Sequence, residues 1–294
     1  MGVMVYGGTA REELQLNEET VWGGSPYRND NPGALDHLEE VRALIFENRN
    51  ADAQQLIQKT FYSGKNGMPY QTIGSLIISS PGHERVTNYY RDLDIERAVA
   101  TTRYEVDGVI FQREVFTSFV DNVVIVRLTT DQPGKLSFTA SYESPLDHKV
   151  MRKGKKLILT GNGQSHEGVE GAIRMETQTQ ADVEGGKMTV ENLQIMVEGA
   201  TAATLYISAA TNFVNYQSVK ADESKRAANY LKAAMKHPYE KALAEHTAFY
   251  KKQFDRVKLD LGTSKATEWE TTERIAHFNE GKDRSEERRV GKEC

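Results

Sequence analysis

The sequence predicts a mainly β protein in which two large antiparallel sheets pack face to face, with a small helical insertion and a C-terminal helical linker. Short runs of β-branched and aromatic residues follow one another through most of the chain. Glycine-containing turns separate several of them, and helices do not alternate with them, which favours a sandwich or barrel. About a dozen such runs are too many for a small immunoglobulin-like unit, so we expect two large sheets.

The N-terminal part contains two extended pieces and the predicted insertion. Residues 3–6 and 12–16 flank Gly7-Gly8, and residues 25–33 have the composition of a loop. Apolar residues then recur at three- and four-residue spacing, which predicts two short helices within about residues 34–62. The first stripe is Leu35, Leu38, Val41, Leu44 and Ile45, and the second is Ala53, Leu56, Ile57 and Phe61.

Strand patterns return after Gly67 and continue to about residue 209. Asp107-Gly108 lies between two such runs and is the strongest short hairpin signal. Residues 123–128 are almost continuously apolar, as expected of a strand buried on both faces. The strands predicted in this part are 72–79, 89–95, 101–106, 109–116, 123–128, 136–142, 156–160, 173–179, 187–190, 193–197 and 204–209.

Helical periodicity resumes at Asp222. Ala227, Leu231 and Ala234 share one face, and a second helical stretch follows Pro238. We therefore divide the chain into a sandwich domain, residues 1–218, and a helical linker, residues 219–283. A helical segment after a long run of strands indicates a connection to another domain.

Residues 284–294 are dense in charge and have no periodicity. The string resembles the translation of a sequencing-adapter oligonucleotide, so we expect a non-native tail; the alternative is a natural charged tail. This tail contains Cys294, the single cysteine. The remaining chain therefore has neither an internal disulfide nor a cysteine-based metal site.

Composition excludes several classes of function. The net charge is −5 with both signs interspersed, which gives no indication of nucleic acid or an anionic membrane surface as a partner. No apolar run approaches the roughly 18 residues of a membrane span. Phosphate-binding loops, nucleophile elbows and clustered metal ligands are missing, so we predict no cofactor and no metal. The histidines at 37, 237 and 246 lie in helical segments and are interpreted as structural or surface residues.

Residues 14–24 concentrate side chains that suit a saccharide. Asn17, Glu18, Glu19 and Trp22 precede a glycine pair. Amides and carboxylates hydrogen-bond sugar hydroxyls, and an indole face packs on sugar C–H groups. The alternative is a strand end with a buried tryptophan anchor and solvated acids, and composition alone favours that alternative.

Residues 62–71 form a second polar cluster. Tyr62, Asn66, Tyr70 and Gln71 surround two glycines, and ordered polar loops of this kind often carry function. A plain connection explains the composition equally well.

Several motifs, in one order, are similar to the start of glycoside hydrolase family 95. The resemblance covers about residues 2–283 and is more specific than any single motif. It is carried by Gly7-Gly8, residues 14–24, Asn31-Pro32, Pro69-Tyr70-Gln71, Gly74-Ser75-Leu76, residues 90–94, residues 113–116 and residues 254–257.

The resemblance implies an N-terminal β-supersandwich, a helical linker, an (α/α)6 barrel and a C-terminal β domain. It also implies hydrolysis of terminal α-L-fucose with inversion, without a metal, and of α-L-galactosides in some members. In this family the acid is a glutamate, and asparagines assisted by an aspartate position the water, all within the barrel. Secretion is the family expectation, with the signal region outside this chain.

The chain departs from the family pattern at both ends. It lacks the Pro-x-Gly-Asn-Gly approach to the first strand and stops at residue 283, where the barrel would begin. We therefore expect a truncated, non-catalytic fragment that packs on the barrel, while the fucosylated glycan binds in the barrel itself. Asn17, Glu19, Trp22 and Gln71 are the candidate substrate-binding residues. The alternative is a free-standing carbohydrate-binding or structural sandwich.

Overall fold

The computed structural model describes residues 1–65, 67–260 and 262–278. The chain divides into two compact units, residues 1–250 and residues from 251 onward. The tail predicted at residues 284–294, with Cys294, lies outside the described residues, as do Asn66 and the last residues of the predicted linker.

The first unit is a sandwich of two antiparallel sheets, which confirms the predicted fold class. Every strand pairing between named strands is antiparallel. The six-stranded sheet contains, in spatial order, β1 (Gly2–Val5), β2 (Arg11–Asn17), β3 (Gly74–Ser79), β8 (Leu136–Glu143), β13 (Gln194–Ala200) and β12 (Lys187–Glu191). The eight-stranded sheet contains β4 (Thr87–Asp94), β5 (Val99–Val106), β6 (Val109–Ser118), β7 (Val123–Thr130), β14 (Ala202–Thr211), β11 (Arg174–Glu184), β10 (Lys156–Asn162) and β9 (Asp147–Lys153).

The core lies between the two sheets. Alternate residues of β2 and β3, such as Leu14, Leu16 and Leu76, are fully buried against β7 and β10 residues such as Val126 and Leu159. Each fully buried aliphatic side chain of this kind contributes about 1.5–3 kcal/mol. Strand periodicity therefore fixes which face of each sheet is internal.

Two helices cover the outer face of the eight-stranded sheet. Helix α3 (Glu223–Ala234) begins at Asp222, whose carboxylate accepts the Lys225 N–H at 2.8 Å. The first part of helix α4 (Tyr239–Phe254) packs beside it. Their apolar residues form a second cluster with outward side chains of the sheet, namely Val99, Phe116, Val123, Ile125, Tyr206, Leu231, Ala234, Tyr239 and Ala242.

The predicted helical insertion is confirmed between β2 and β3. It consists of a 3-10 helix (Pro32–His37), α1 (Leu38–Phe46) and α2 (Asn50–Thr60). The Asn31 side chain accepts the Gly33 N–H at the start of the insertion and donates to the Thr60 carbonyl at its end, at 2.8 Å. One asparagine thus joins the two ends of the insertion.

The connections gather at two opposite ends of the sandwich, which we call the loop end and the turn end. Strand registers place each connection, as where Ser118 pairs with Val123. The loop end comprises residues 18–65, 67–73, 95–98, 119–122, 144–146, 163–173, 192–193 and 212–222, and the turn end comprises residues 6–10, 80–86, 107–108, 131–135, 154–155, 185–186 and 201.

The second unit contains the end of α4, a 3-10 helix (Lys265–Glu268) and α5 (Thr271–Ala276). Trp269 and His277 meet edge to face, with ring centroids 5.6 Å apart. None of the helices in the part of the chain that the structure describes is both long enough and apolar enough to cross a membrane.

Candidate functional site

Three segments that are distant in sequence meet at the loop end. The segment after β2 donates the Gly23 N–H to the Pro69 carbonyl at 2.9 Å, and Gln71 donates its N–H to the Val21 carbonyl at 2.9 Å. The loop after β10 joins them, because the Gly24 N–H donates to the Gln164 carbonyl at 2.8 Å. The two polar segments singled out in the sequence are therefore neighbours.

The third segment fits only because glycines let the backbones approach. A Cβ on Gly163 would lie 2.5 Å from the Trp22 carbonyl oxygen, and one on Gly171 would lie 1.9 Å from the Gly163 carbonyl oxygen. Neither distance is compatible with a side chain. The backbone beneath Trp22 is thus tightly packed, which makes the surface rigid.

Trp22 and Tyr70 form an aromatic pair on this surface. Their rings meet edge to face with centroids 5.4 Å apart and an interplanar angle of 69°. The side chains are 44% and 42% exposed. The Trp22 indole N–H donates to the Glu19 carbonyl at 2.8 Å, which fixes the ring. Trp22 is therefore exposed, and the alternative interpretation of residues 14–24 is wrong in its buried tryptophan anchor.

Tyr70 is held at its hydroxyl. This group donates to the Glu18 carbonyl at 3.2 Å and lies 3.4 Å from the Asn17 amide oxygen. Burial, and then the nearby Glu18 and Glu19 carboxylates, raise the pKa of the Tyr70 phenol. The phenol therefore stays protonated at neutral pH and remains a donor.

A pair of glutamines borders the aromatic rings. The Gln71 amide donates to the Gln164 side-chain oxygen at 3.1 Å, and its own oxygen accepts the Gln164 backbone N–H at 3.0 Å. Gln164 was not identified from the sequence. It lies 93 residues from Gln71, and no local pattern distinguishes it from any other loop glutamine.

Glu18 has a structural role. Its carboxylate accepts the Thr20 backbone N–H at 2.7 Å and the Thr20 hydroxyl at 2.6 Å. Thr20 in turn hydrogen-bonds Thr211 at the end of β14, which links the two sheets. Glu19, by contrast, is exposed and presents its carboxylate to solvent.

The four predicted residues therefore share one surface. Asn17 contacts Tyr70, Glu19 receives the Trp22 N–H through its carbonyl, and Gln71 binds Gln164. Within residues 1–65, 67–260 and 262–278, no group of three or more metal-ligating side chains converges. Exposed aromatic faces beside amide and carboxylate groups are suited to binding a neutral, polyhydroxylated ligand.

One buried histidine has a structural role. His246 on α4 is buried, stacks on Phe116 at 4.7 Å and donates from Nε2 to the Arg97 carbonyl at 2.9 Å. Burial lowers the pKa of its imidazole. The residue joins α4 to the sheet, which is the structural environment predicted for it.

Residues 1–216 match a family model described as "Glycosyl hydrolase family 65, N-terminal domain". A curated relative, "Alpha-L-fucosidase 2" from Arabidopsis thaliana, is 30% identical over 97% of this chain and 37% of its own length. Two proteins called "Probable alpha-fucosidase A" also match. The Aspergillus niger protein is 28% identical over 45% of this chain and 17% of its own length, and the Aspergillus oryzae protein is 24% identical over 96% and 41%.

The chain spans well under half of each of these relatives. Among solved structures, a "Putative kojibiose phosphorylase from human microbiome" aligns with a TM-score of 0.42 and 9% identity, covering 84% of this chain and 38% of that chain. A likeness at that level has no bearing on function.

Proposed function

Because the chain belongs to the family of glycosyl hydrolase family 65 N-terminal domains, we propose that it is the N-terminal β-sandwich region of a family 95 α-L-fucosidase. The 30% identity with "Alpha-L-fucosidase 2" over 97% of the chain carries this proposal. The whole enzyme would hydrolyse terminal α-L-fucosyl or α-L-galactosyl linkages with inversion.

The chain itself is proposed to be non-catalytic. Inversion needs an acid and a base roughly 6.5–9.5 Å apart, with a water between the base and the sugar. On the loop-end surface Glu18 is engaged by Thr20, which leaves Glu19 as the free carboxylate beside the aromatic pair. A single carboxylate is insufficient for this mechanism, so the chemistry is assigned to a separate catalytic domain.

The loop end is proposed to face that catalytic domain. Large apolar side chains are exposed there in several loops, and exposed apolar residues that accumulate at one end of a domain are typical of an interaction surface. More than half of the length of these curated relatives lies outside the matched region. A domain formed by that remaining part would cover the loop end. The exposed residues are Trp22, Leu35, Ile45, Phe46, Tyr62, Tyr70, Ile95, Phe119, Val120, Leu193, Val214 and Tyr216.

Within this interface, Asn17, Glu19, Trp22 and Gln71 are proposed to form part of the rim of the sugar pocket. The indole face would pack on the C–H groups of a pyranose, and the amide and carboxylate groups would accept and donate hydrogen bonds to its hydroxyls. Tyr70 and Gln164 complete the same surface.

Fucose release tests the assignment of the chemistry. The chain and the full-length Arabidopsis relative are each incubated with 2′-fucosyllactose, and free fucose is measured. We expect release by the relative and none by the chain. Fucose released by the chain alone would overturn the placement of the catalytic groups.

A free-standing carbohydrate-binding module is the second candidate, favoured by the exposed Trp22–Tyr70 pair. The chain has two tryptophans, so Trp269→Phe leaves Trp22 as the only indole reporter. Its fluorescence is titrated with L-fucose and 2′-fucosyllactose. Saturable binding by the isolated chain, lost in Tyr70→Ala and kept in Tyr216→Ala, would favour the module. Binding too weak to saturate would favour a rim that needs the catalytic domain.

A further inference from the structure

The β9–β10 hairpin is the most basic part of this acidic protein. Residues 147–156 contain five basic side chains and one acidic side chain, whereas the whole chain carries a net charge of −5. The basic residues of the hairpin are Lys149, Arg152, Lys153, Lys155 and Lys156.

Three of these lysines project from the outer face of the eight-stranded sheet. Lys156 is opposite Gln180, and Gln180 is opposite Tyr206, whose ring lies in the cluster beneath the helices. Residues directly opposite each other in a sheet share a face. Lys156 therefore lies on the helix-covered face. Lys153, its partner across the hairpin, and Lys149, four residues earlier on β9, lie on the same face.

Helix α3 borders this region on the side of β11. It packs along β11 and β14, and the Gln178 side chain donates to its Ser224 carbonyl at 3.3 Å. We define the lysine face as Lys149, Lys153 and Lys156, together with the surface of β9 and β10 between them.

Protection of the free sheet edge does not account for the whole arrangement. Lysines on an edge strand prevent pairing with other chains, and β9 is such a strand. Lys156, however, lies on β10, which is paired on both sides. Lys153 and Lys156 are direct cross-strand partners of like charge, an arrangement that destabilises a hairpin. The polar contact of Lys156 is with a neutral group, the Gln178 side-chain oxygen at 2.9 Å.

The spacing fits a ligand with several negative charges. Lys149 and Lys153 are four strand residues apart, or about 13 Å. One small anion is too short to contact both. Met151 lies between them on the same face and is 41% exposed, beside its buried cross-strand partner Ile158, so it provides an apolar contact between the two lysines. A polymer with anionic groups at intervals and C–H surface between them matches this face.

We propose that the lysine face binds an anionic polysaccharide, a glycan polymer that carries carboxylate or sulfate groups. The choice of a glycan as the polymer rests on the proposed function; the charge pattern itself requires only a polyanion. The lysine face is separate from the Trp22 surface and would hold a charged polymer independently of the sugar bound there.

The test measures the affinity of the chain for heparin, a sulfated polymer, and for polygalacturonate, a carboxylated one, at about 0.15 M salt, where the screening length is about 8 Å. Neutral dextran and duplex DNA are the comparison ligands. Lys149→Gln/Lys153→Gln/Lys156→Gln removes three charges from the face. Lys59→Gln/Lys135→Gln/Lys187→Gln removes three exposed lysines elsewhere and is the matched control.

We expect the chain to bind at least one acidic polysaccharide, with an affinity that falls as salt is added. The lysine-face variant should bind about tenfold more weakly. The affinity of the control variant should change by less than about twofold, since single surface charge contacts are weak. Equal losses in both variants, or no binding by the unsubstituted chain, would overturn the proposal. Tighter binding to DNA than to either polysaccharide would replace the glycan by nucleic acid. None of these readouts depends on fucose release, so this proposal and the proposed function fail separately.

Discussion

The two ends of the sandwich are built from the same strands but have opposite surface chemistry. At the loop end, twelve large apolar side chains are exposed in the described connections, whereas at the turn end Tyr6 is the one such residue in the described connections. The turn end instead contains tight turns, as at Gly186, where φ is 65° and a Cβ would lie 2.3 Å from the Glu198 carbonyl oxygen. The turn end therefore serves the fold, and the loop end is available for binding.

A buried ion pair near the turn end illustrates its structural role. Arg113 on β6 and Glu12 on β2 bind each other between the sheets, with side chains 4% and 0% exposed. The other Glu12 oxygen accepts the Tyr6 and Gly7 N–H groups at 3.0 and 3.1 Å, and Arg113 donates to the Gly8 carbonyl at 2.8 Å. The pair thus holds the β1–β2 connection against the second sheet.

Arg113→Ala is expected to have the largest effect on stability. It leaves the Glu12 carboxylate buried without its cation, which costs about 3–5 kcal/mol. Urea unfolding monitored by circular dichroism measures the loss. Arg11→Ala, which removes exposed pairs with Glu13 and Glu143, is the control and should cost less than about 1 kcal/mol. Equal losses in the two variants would show that the buried pair has no special role.

Gly171→Ala tests the loop end. The new methyl group would lie 1.9 Å from the Gly163 carbonyl oxygen, so the loop must move at a cost of about 1–3 kcal/mol. Because that loop supports Trp22, we also expect a shift in Trp22 fluorescence in the Trp269→Phe background. Gly33→Ala, in the same end but with its nearest contact at 3.5 Å, should leave the fluorescence unchanged. An unshifted spectrum for Gly171→Ala would show that the packing at Gly171 does not determine the environment of Trp22.

His83 should make the turn end sensitive to pH. It is buried and hydrogen-bonded to the Tyr104 hydroxyl at 2.9 Å, and burial lowers the pKa of its imidazole below the ordinary value of 6.5. This histidine therefore binds a proton more readily in the unfolded chain than in the folded one. The stability it contributes above pH 6.5 is lost as the pH falls below that value, and the free energy of unfolding decreases by at most about 1.4 kcal/mol for each pH unit. The free energy of unfolding, measured with urea, should differ less between pH 7.5 and pH 5.5 for His83→Gln than for the unsubstituted chain. An identical difference would assign the pH dependence to other groups.

The Gln71–Gln164 contact should have the smallest effect. Both side chains are partly solvated, so a double-mutant cycle with alanine at each position should give a coupling of about 0.5 kcal/mol. The same cycle measured on sugar binding distinguishes a structural contact from a ligand contact. Loss of sugar binding in Gln71→Ala but not in Gln164→Ala would identify Gln71 as the residue that touches the sugar.

Most of the sandwich is predictable from the sequence because its strands have one buried face. Alternation identified β8, and the Asp107-Gly108 turn identified the β5–β6 hairpin, both of which the structure confirms. Strand β9 was not predicted. It is an edge strand in which Val150 is the one residue packed against the core, so its sequence lacks the alternation on which the prediction depends. The strand that the pattern missed contributes Lys149 and Lys153 to the lysine face.

The candidate surface was predictable only in part. The residue types alone indicated Trp22 and Gln71 as candidate sugar-binding residues, since an indole, amides and carboxylates near glycines suit a sugar. Their proximity follows from the Trp22–Tyr70 bridge, which depends on how the chain returns after the helical insertion. Gln164 lies in the loop that follows β10, and no local feature of the sequence indicates that this loop approaches the end of β2. Pairings across such distances are set by the whole fold.

The position of β14 determines when during synthesis the sandwich can form. This strand lies between β7 and β11, and all ten of its residues are buried. Until residues 202–211 have left the ribosome, the eight-stranded sheet remains two separate ribbons, β4 to β7 and β9 to β11, each with a long unpaired edge, and the edge strand β7 is largely apolar. Such edges recruit other chains. A nascent chain of this protein is therefore exposed to misassembly until these residues have been synthesised, because the eight-stranded sheet closes only when β14 is available.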